Sequence, residues 1–296
     1  VRTLRERLAA GDVLVGDGAM GTMLFERGLP PGEPPETVTL ARPAVLEEIA
    51  RLYLEAGADL IETNTFGGSP LKLALHGLEA ETETVNREAV RAVRRAAEGR
   101  AYVVGSCGPS GRLLEPYGDV GEAAMLASFR RQMDALARAG VDAVCIETMT
   151  DLREAALAIR AAKEADPALP VLATMTFDPT PRGYFTIMGV SVAAAAAGLA
   201  EAGADAVGSN CGTGIVHMVA IAREFRAVSR LPLVIQANAG LPISVAGRTV
   251  YDETPAFLAE KARELLEIGV SVIGGCCGTT PEHIRALRAM VDGARQ

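Results

Sequence analysis

Two cysteines stand side by side near the C-terminus, Cys276 and Cys277 in the string GGCCGTT, and a third, Cys211, sits in NCGTG. Adjacent thiolates reach one metal ion only where the backbone turns sharply, and Gly274, Gly275 and Gly278 supply that freedom. A thiolate from elsewhere in the fold would complete a three-sulfur base. Three protein ligands around an open position is the pattern of catalytic zinc, whereas a structural site closes with four. Soft sulfur donors favour zinc or copper(I) over magnesium. Two other fates fit the same spacing, a small buried hydrophobe and a strained vicinal disulfide. Cys107, expected near the same mouth, and Cys145, expected inside a strand, are rival ligands. Asp17 in GDGAMG and Glu147 in ETMTD are the carboxylates best placed for chemistry, although each also reads as a turn cap or a buried ion-pair partner. His217 and His283 fall in helices and read as surface or interface residues, and His76 follows an apolar stretch; none is expected to be a ligand or base.

Residues so far apart meet only if the chain gathers its strand ends. Four strings look alike: GADLIETNTFGG from Gly57, GVDAVCIETMTD from Gly140, GADAVGSNCGTG from Gly203 and GVSVIGGCCGTT from Gly269. Each opens on a glycine suited to ending a helix, runs through β-branched and apolar residues, and closes on a polar or glycine-rich turn. That is a buried parallel strand. Four more apolar runs lie between them, at 13–16, 101–105, 170–174 and 232–236. A helix is expected after every run, around 43–56, 83–98, 121–139, 152–165, 191–202, 215–229, 254–268 and 281–292. Such alternation implies an α/β fold, a single (βα)8 TIM barrel over 1–296, rather than an open doubly wound sheet, since no GxGxxG follows the first strand. Long connections at 22–42, 177–190 and 239–253 are expected at the C-terminal face, where binding and gating reside. The predicted strand ends carry Asp17, Glu62 and Asn64, Ser106 and Cys107, Glu147, Asn210 and Cys211, Gln236 and Asn238, and the Cys276-Cys277 pair. A barrel would bring all of them to one mouth.

Composition narrows the class. Hydrophobic residues at 49% and charged residues at 22% describe a folded chain, and a net charge of −8 argues against nucleic acid or an anionic membrane as partner. Five cysteines in 296 residues make no disulfide scaffold and suit a reducing, cytoplasmic compartment. The uncharged run 183–200 is glycine-interrupted and reads as a loop entering a buried helix, not a membrane span. The opening Val1 suits a module excised from a longer protein.

Taken together, GDGAMGTML, ETNTFGG, GSCGPSG, ETMTDLREA, GSNCGTG and GGCCGTTPEHI resemble the homocysteine S-methyltransferase family, from about residue 11 to 291. The resemblance implies a (βα)8 barrel whose catalytic zinc is bound by Cys211, Cys276 and Cys277. It also implies that Asp17 and Glu147 hold the ammonium of L-homocysteine, with the backbone amides after Asp17, at Gly18 and Ala19, taking its carboxylate. Ser106 joins the substrate-binding set. Asn238, at the end of strand 7, is expected as a weak oxygen ligand that closes the zinc until substrate displaces it. The strings are most similar to the homocysteine module of cobalamin-dependent methionine synthases. That implies methylcobalamin as donor on a separate cobalamin-binding domain, with a folate-binding domain in the same full-length protein. Self-contained members using S-methylmethionine or betaine are the alternative. A phosphate-binding barrel, with anions at the glycine turns after strands 6 and 8, and a non-catalytic zinc scaffold are the readings from other classes.

Overall fold

The eight apolar runs become one sheet, and the computed structural model, which describes residues 2–245 and 248–294, closes that sheet on itself. Its strands are β1 (Leu14–Val15), β2 (Leu60–Glu62), β3 (Tyr102–Cys107), β4 (Ala143–Met149), β5 (Val171–Met175), β6 (Ala206–Asn210), β7 (Leu233–Ala237) and β8 (Val272–Gly275). Each pairs in parallel with its sequence neighbour, and β8 also pairs with β1, Val272 opposite Leu14. The ring is completed by a parallel bridge between Gly16 and Leu60, supported by the Asp59 N–H donating to the Val15 carbonyl at 2.7 Å. That bridge excludes the open sheet.

Among the described residues twelve α-helices accompany the strands: α1 (Leu4–Ala9), α2 (Met20–Glu26), α3 (Glu36–Ala41), α4 (Pro43–Glu55), α5 (Pro70–Ala74) and α6 (Thr82–Ala97) in the first half. The second half has α7 (Glu122–Ala139), α8 (Leu152–Ala165), α9 (Val192–Glu201), α10 (Ile215–Val228), α11 (Pro255–Ile268) and α12 (Pro281–Gly293). The eight crossover helices, α4 and α6–α12, fall where periodicity expects them. None of the helices among the described residues is long and apolar enough to cross a membrane; the run 183–200 divides between a hairpin strand and α9.

The repeated strings have a shared mechanical purpose. Their opening glycines all take a left-handed φ, 98° at Gly57, 84° at Gly140, 104° at Gly203 and 82° at Gly269, which costs a residue without Cβ little. Two residues on, Asp59, Asp142 and Asp205 turn back on the preceding strand, their Oδ2 atoms accepting from the N–H groups of Val15, Val103 and Val171 at 2.9, 2.7 and 2.8 Å. Cations hold each carboxylate in place: Arg7 and Arg288 on Asp59, Arg94 on Asp142, Arg5 and Lys163 on Asp205. The fourth string has Ser271 at this offset.

Helix α1, which the apolar pattern does not announce, lies beneath the barrel. A Thr3–Glu6 capping box starts it, and its Leu4 and Leu8 pack with Leu14, Leu60, Val104, Cys145, Leu172, Val234 and Val272 to seal the N-terminal end. The three long connections are also more ordered than open loops. Residues 22–42 hold most of α2 and all of α3; 177–190 hold the hairpin Asp178–Thr180/Gly183–Phe185. Residues 239–253 hold a second antiparallel pair, Ile243–Val245 with Arg248–Val250; residues 246–247 lie outside the described residues.

Candidate active site at the barrel mouth

The three sulfurs meet because β7 serves as a template for both neighbours. The Cys211 N–H donates to the Gln236 carbonyl (3.1 Å), the Cys276 N–H to the Ala237 carbonyl (2.7 Å), and the Cys277 carbonyl accepts from the Ala239 N–H (3.0 Å). Their Sγ atoms lie within 4.8 Å of one another, with Cys211 and Cys277 3.8 Å apart. A tetrahedral zinc with Zn–S bonds of ~2.3 Å sets its sulfurs about 3.8 Å apart, so the donor set fits that ion. All five cysteines are free thiols, and these three are only half-buried, unlike small core hydrophobes. Hydrogen bonds from Cys276 and Cys277 hold the Cys211 thiol well below its ordinary value, and the same contacts push the other two up. One negative charge is therefore stabilised within the cluster, and deprotonating all three calls for a cation.

Next to the sulfurs, Asn238 is buried, and its amide helps to lower Cys211 while its Oδ1 has no hydrogen-bond partner. Turning the amide over would aim that neutral oxygen at the sulfur cluster. The phenol of Tyr251, a residue that spacing did not single out, is pushed up to about 12 by burial and by Cys277. Its ring lies on Gly278 (φ 79°), where an added Cβ would sit 2.1 Å from the ring.

Asn210 ties the sulfurs to the carboxylates. Fully buried at the end of β6, its Nδ2 donates to Glu147 Oε2 (2.9 Å) and Thr148 Oγ1 (2.8 Å) and lies 3.8 Å from Cys276 Sγ. Its Oδ1 accepts from the Thr148 N–H and the Thr174 hydroxyl, both at 2.7 Å. Thr148 (φ 60°) and Cys211 (φ 59°) are left-handed without being glycine, a strain of order 1–3 kcal/mol each. Both sit at the mouth, where Asn210 and the β7 contacts hold them.

Glu147 also accepts from the Ser106 hydroxyl at 2.5 Å, so both of its oxygens are oriented. Burial first, and the Glu62 charge second, push Glu147 and Asp17 well above the usual carboxylate range. No described ion pair satisfies either group. Asp17 Oδ2 accepts from the Glu62 N–H at 2.9 Å, and Gln236 Nε2 donates to Glu62 Oε1 at 3.0 Å.

A cavity of about 230 Å³ opens over this floor, lined among others by Gly18, Ala19, Glu62, Ser106, Glu147, Cys211 and the Cys276-Cys277 pair. Of the two amides expected to take a carboxylate, that of Ala19 already donates to Thr279 Oγ1 at 3.2 Å. Cys107 and Cys145 are buried away from the cluster, Cys107 against Gln132 of α7 and Cys145 in the apolar plug, so neither competes as a ligand. His76 and His217 are exposed, whereas His283 is buried and caps α12, its Nδ1 accepting the Thr280 N–H at 3.1 Å.

The profile of the family described as homocysteine S-methyltransferase matches residues 14–291. A methionine synthase of Mycobacterium leprae (strain TN) is 36% identical over 298 residues, 94% of this chain and 24% of that protein. A second, of Mycobacterium tuberculosis (strain ATCC 25618 / H37Rv), is 35% identical over 303 residues, 96% of this chain and 25% of that protein. The chain thus spans about a quarter of the length of these relatives. Among solved structures, the metallated homocysteine methyltransferase MmuM from Escherichia coli superposes with a TM-score of 0.80 at 27% identity, covering 97% of this chain and 99% of that one.

Proposed function

This chain belongs to the homocysteine S-methyltransferase family, and from that premise we propose that it is a zinc-dependent module that activates L-homocysteine for methylation to methionine. The observation that carries the reading is the cluster of three strand-end sulfurs joined through Asn210 to a buried, cation-free carboxylate. Cys211, Cys276 and Cys277 would hold the zinc, which when bound supplies the positive charge that keeps a coordinated substrate thiol deprotonated near neutral pH.

The remaining roles belong to the chain itself. Glu147, oriented by Ser106 and Asn210, would take the substrate ammonium together with Asp17, a charge-assisted contact in a water-poor cavity. The Gly18 and Ala19 amides would face the substrate carboxylate, Ala19 by exchanging its bond to Thr279. Asn238, whose Oδ1 lacks a partner, would be the weak oxygen donor that substrate replaces. Held by both ends, the substrate presents its sulfur lone pair along one direction; the S–CH3 bond forms as the donor–carbon bond breaks. A reducing, cytoplasmic setting would keep the thiols available.

We assign the methyl donor to methylcobalamin on another domain of a longer protein that also carries a folate-binding domain. The support is that the methionine synthases similar to this chain are about four times its length. The near end-to-end match with MmuM favours a second reading, a self-contained methyltransferase with a small donor such as S-methylmethionine or betaine. Single-turnover transfer to homocysteine, from methylcobalamin in one arm and S-methylmethionine in the other, separates the two. Methionine formed only from S-methylmethionine would overturn the module reading.

A further inference from the structure

The mouth contains a carboxylate that the pairing of Asp17 with Glu147 leaves without a task. Glu62 lines the mouth beside Glu147, Cys211 and Cys276, and it also lines the narrow cavity beneath, which holds Asp17. It is half-buried, whereas Asp17 and Glu147 are 2% and 7% exposed, so Glu62 is the most accessible acid of the three. Asp17 lines only the lower cavity, and its Oδ2 is spent on the Glu62 N–H, which fixes the end of β2. The Glu62 carboxylate is aimed in turn: Gln236 Nε2 holds Oε1 at 3.0 Å, while Gln236 Oε1 is buried without a partner. None of the described residues lining the mouth is a lysine, arginine or histidine. Two aimed carboxylates and a thiol cluster therefore face one cavity with no cation of the protein's own. Such a site suits a ligand that brings positive charge: burial, the Glu62 charge and a hydrogen bond between the two carboxyls push Glu147 upward, and a cationic ligand would take the place of their shared proton.

We propose that Glu62 is a direct ammonium-binding and specificity-determining residue, which with Glu147 selects an α-amino thiol over a thiol that lacks the amine. The ammonium would donate to the Glu62 oxygen that Gln236 does not hold, so Asp17 contributes partly by fixing the position of Glu62. This rests on the homocysteine reading and assigns the source of its selectivity.

The test compares zinc-loaded wild type and Glu62→Gln by calorimetric titration with homocysteine and with 4-mercaptobutanoate, the same molecule without its amine. Wild type should favour homocysteine, and Glu62→Gln should shrink that preference by about ten- to hundredfold. The loss should fall on homocysteine, with 4-mercaptobutanoate affinity and zinc content unchanged. Glu62→Asp, which keeps the charge, should recover part of the preference. Should Glu62→Gln fail to fold, Gln236→Ala, which frees Oε1, should reduce the same ratio more modestly. An unchanged ratio in the folded variants would overturn the inference alone, because wild type would still discriminate. A wild type that binds neither thiol would overturn the homocysteine reading and this inference with it.

Discussion

The two ends of the barrel are built from the same strands and share almost no chemistry. Inward-facing residues two apart on one strand change character in a single pleat: Leu60 then Glu62, Val104 then Ser106, Cys145 then Glu147, Val234 then Gln236. The lower member of each pair packs with Leu4 and Leu8 of α1, and the upper member faces the mouth or the narrow cavity beneath it. Ionic clamps follow the same division. Asp59, Asp142 and Asp205, at the lower end, each have a cation, whereas Asp17 and Glu147, at the upper end, take part in none of the described ion pairs. One end is satisfied internally and the other awaits a ligand. In this architecture stability and function can therefore be altered separately, although they lie only one pleat apart.

The sharpest way to break the contrast is at the sulfurs. Cys276→Ala should bring turnover below detection and drop zinc, by metal analysis, well under about one per chain, while the metal-free melting curve barely moves. Full activity with zinc retained would place the metal elsewhere. Glu147→Ala should raise the homocysteine KM by roughly 30- to 150-fold, the equivalent of about 2–3 kcal/mol for a lost charge-assisted contact, with zinc content intact. Zinc loss in this variant would move Glu147 into the metal's coordination. The opposite end should give the mirror result. Leu8→Ala, which removes a side chain only 6% exposed, should cost about 2–4 kcal/mol in urea denaturation and leave kcat unchanged below the new Tm.

The smallest effect concerns Glu36, which fastens α3 to the loop after β2 by accepting the Gly67 N–H at 2.6 Å. Burial pushes its carboxyl above the ordinary value, so its contribution to stability is complete at pH below that value and is lost as pH rises through the folded one. Glu36→Gln keeps an acceptor and never ionises. Its stability relative to wild type should therefore rise as pH increases above 4.5. A relative stability that falls over this range would mean the carboxylate form is the one the fold favours.

Much of this division can be read in the chain, and the exceptions share a cause. The crossover helices and barrel strands were visible because each repeats one period over many residues. The cysteine cluster was visible through the family resemblance, since spacing alone left a buried hydrophobe and a vicinal disulfide open; the structure brings the three sulfurs together. Helix α1 shows only two apolar positions among charged neighbours, too short for a period to emerge, although its Thr3–Glu6 box is a signal. The antiparallel strand pairs within 178–185 and 243–250 are equally brief. Asn210 was legible as a strand-end residue, but its role arises from partners on β4, β5 and β8, which no local pattern encodes. Thr148 runs against its own preference, since a β-branched residue at positive φ is the last place local propensity would look. Glu62 and Gln236 are legible as strand-end residues; what singles them out is that none of the described residues lining the mouth is a cation. The aspartates of the repeated strings stood in plain sight at a constant offset, and only the fold shows what they grip.

Strand β8 lies between β7 and β1, so it is the stave on which the ring depends, and two of the three sulfurs follow it directly. Cys211 follows the sixth strand of the ring, and the other two thiols come only with the eighth. Without β8, one edge each of β1 and β7 would lack its partner, and Cys211 would stand without the two neighbouring sulfurs. Ring closure and the gathering of the three sulfurs are therefore one structural event.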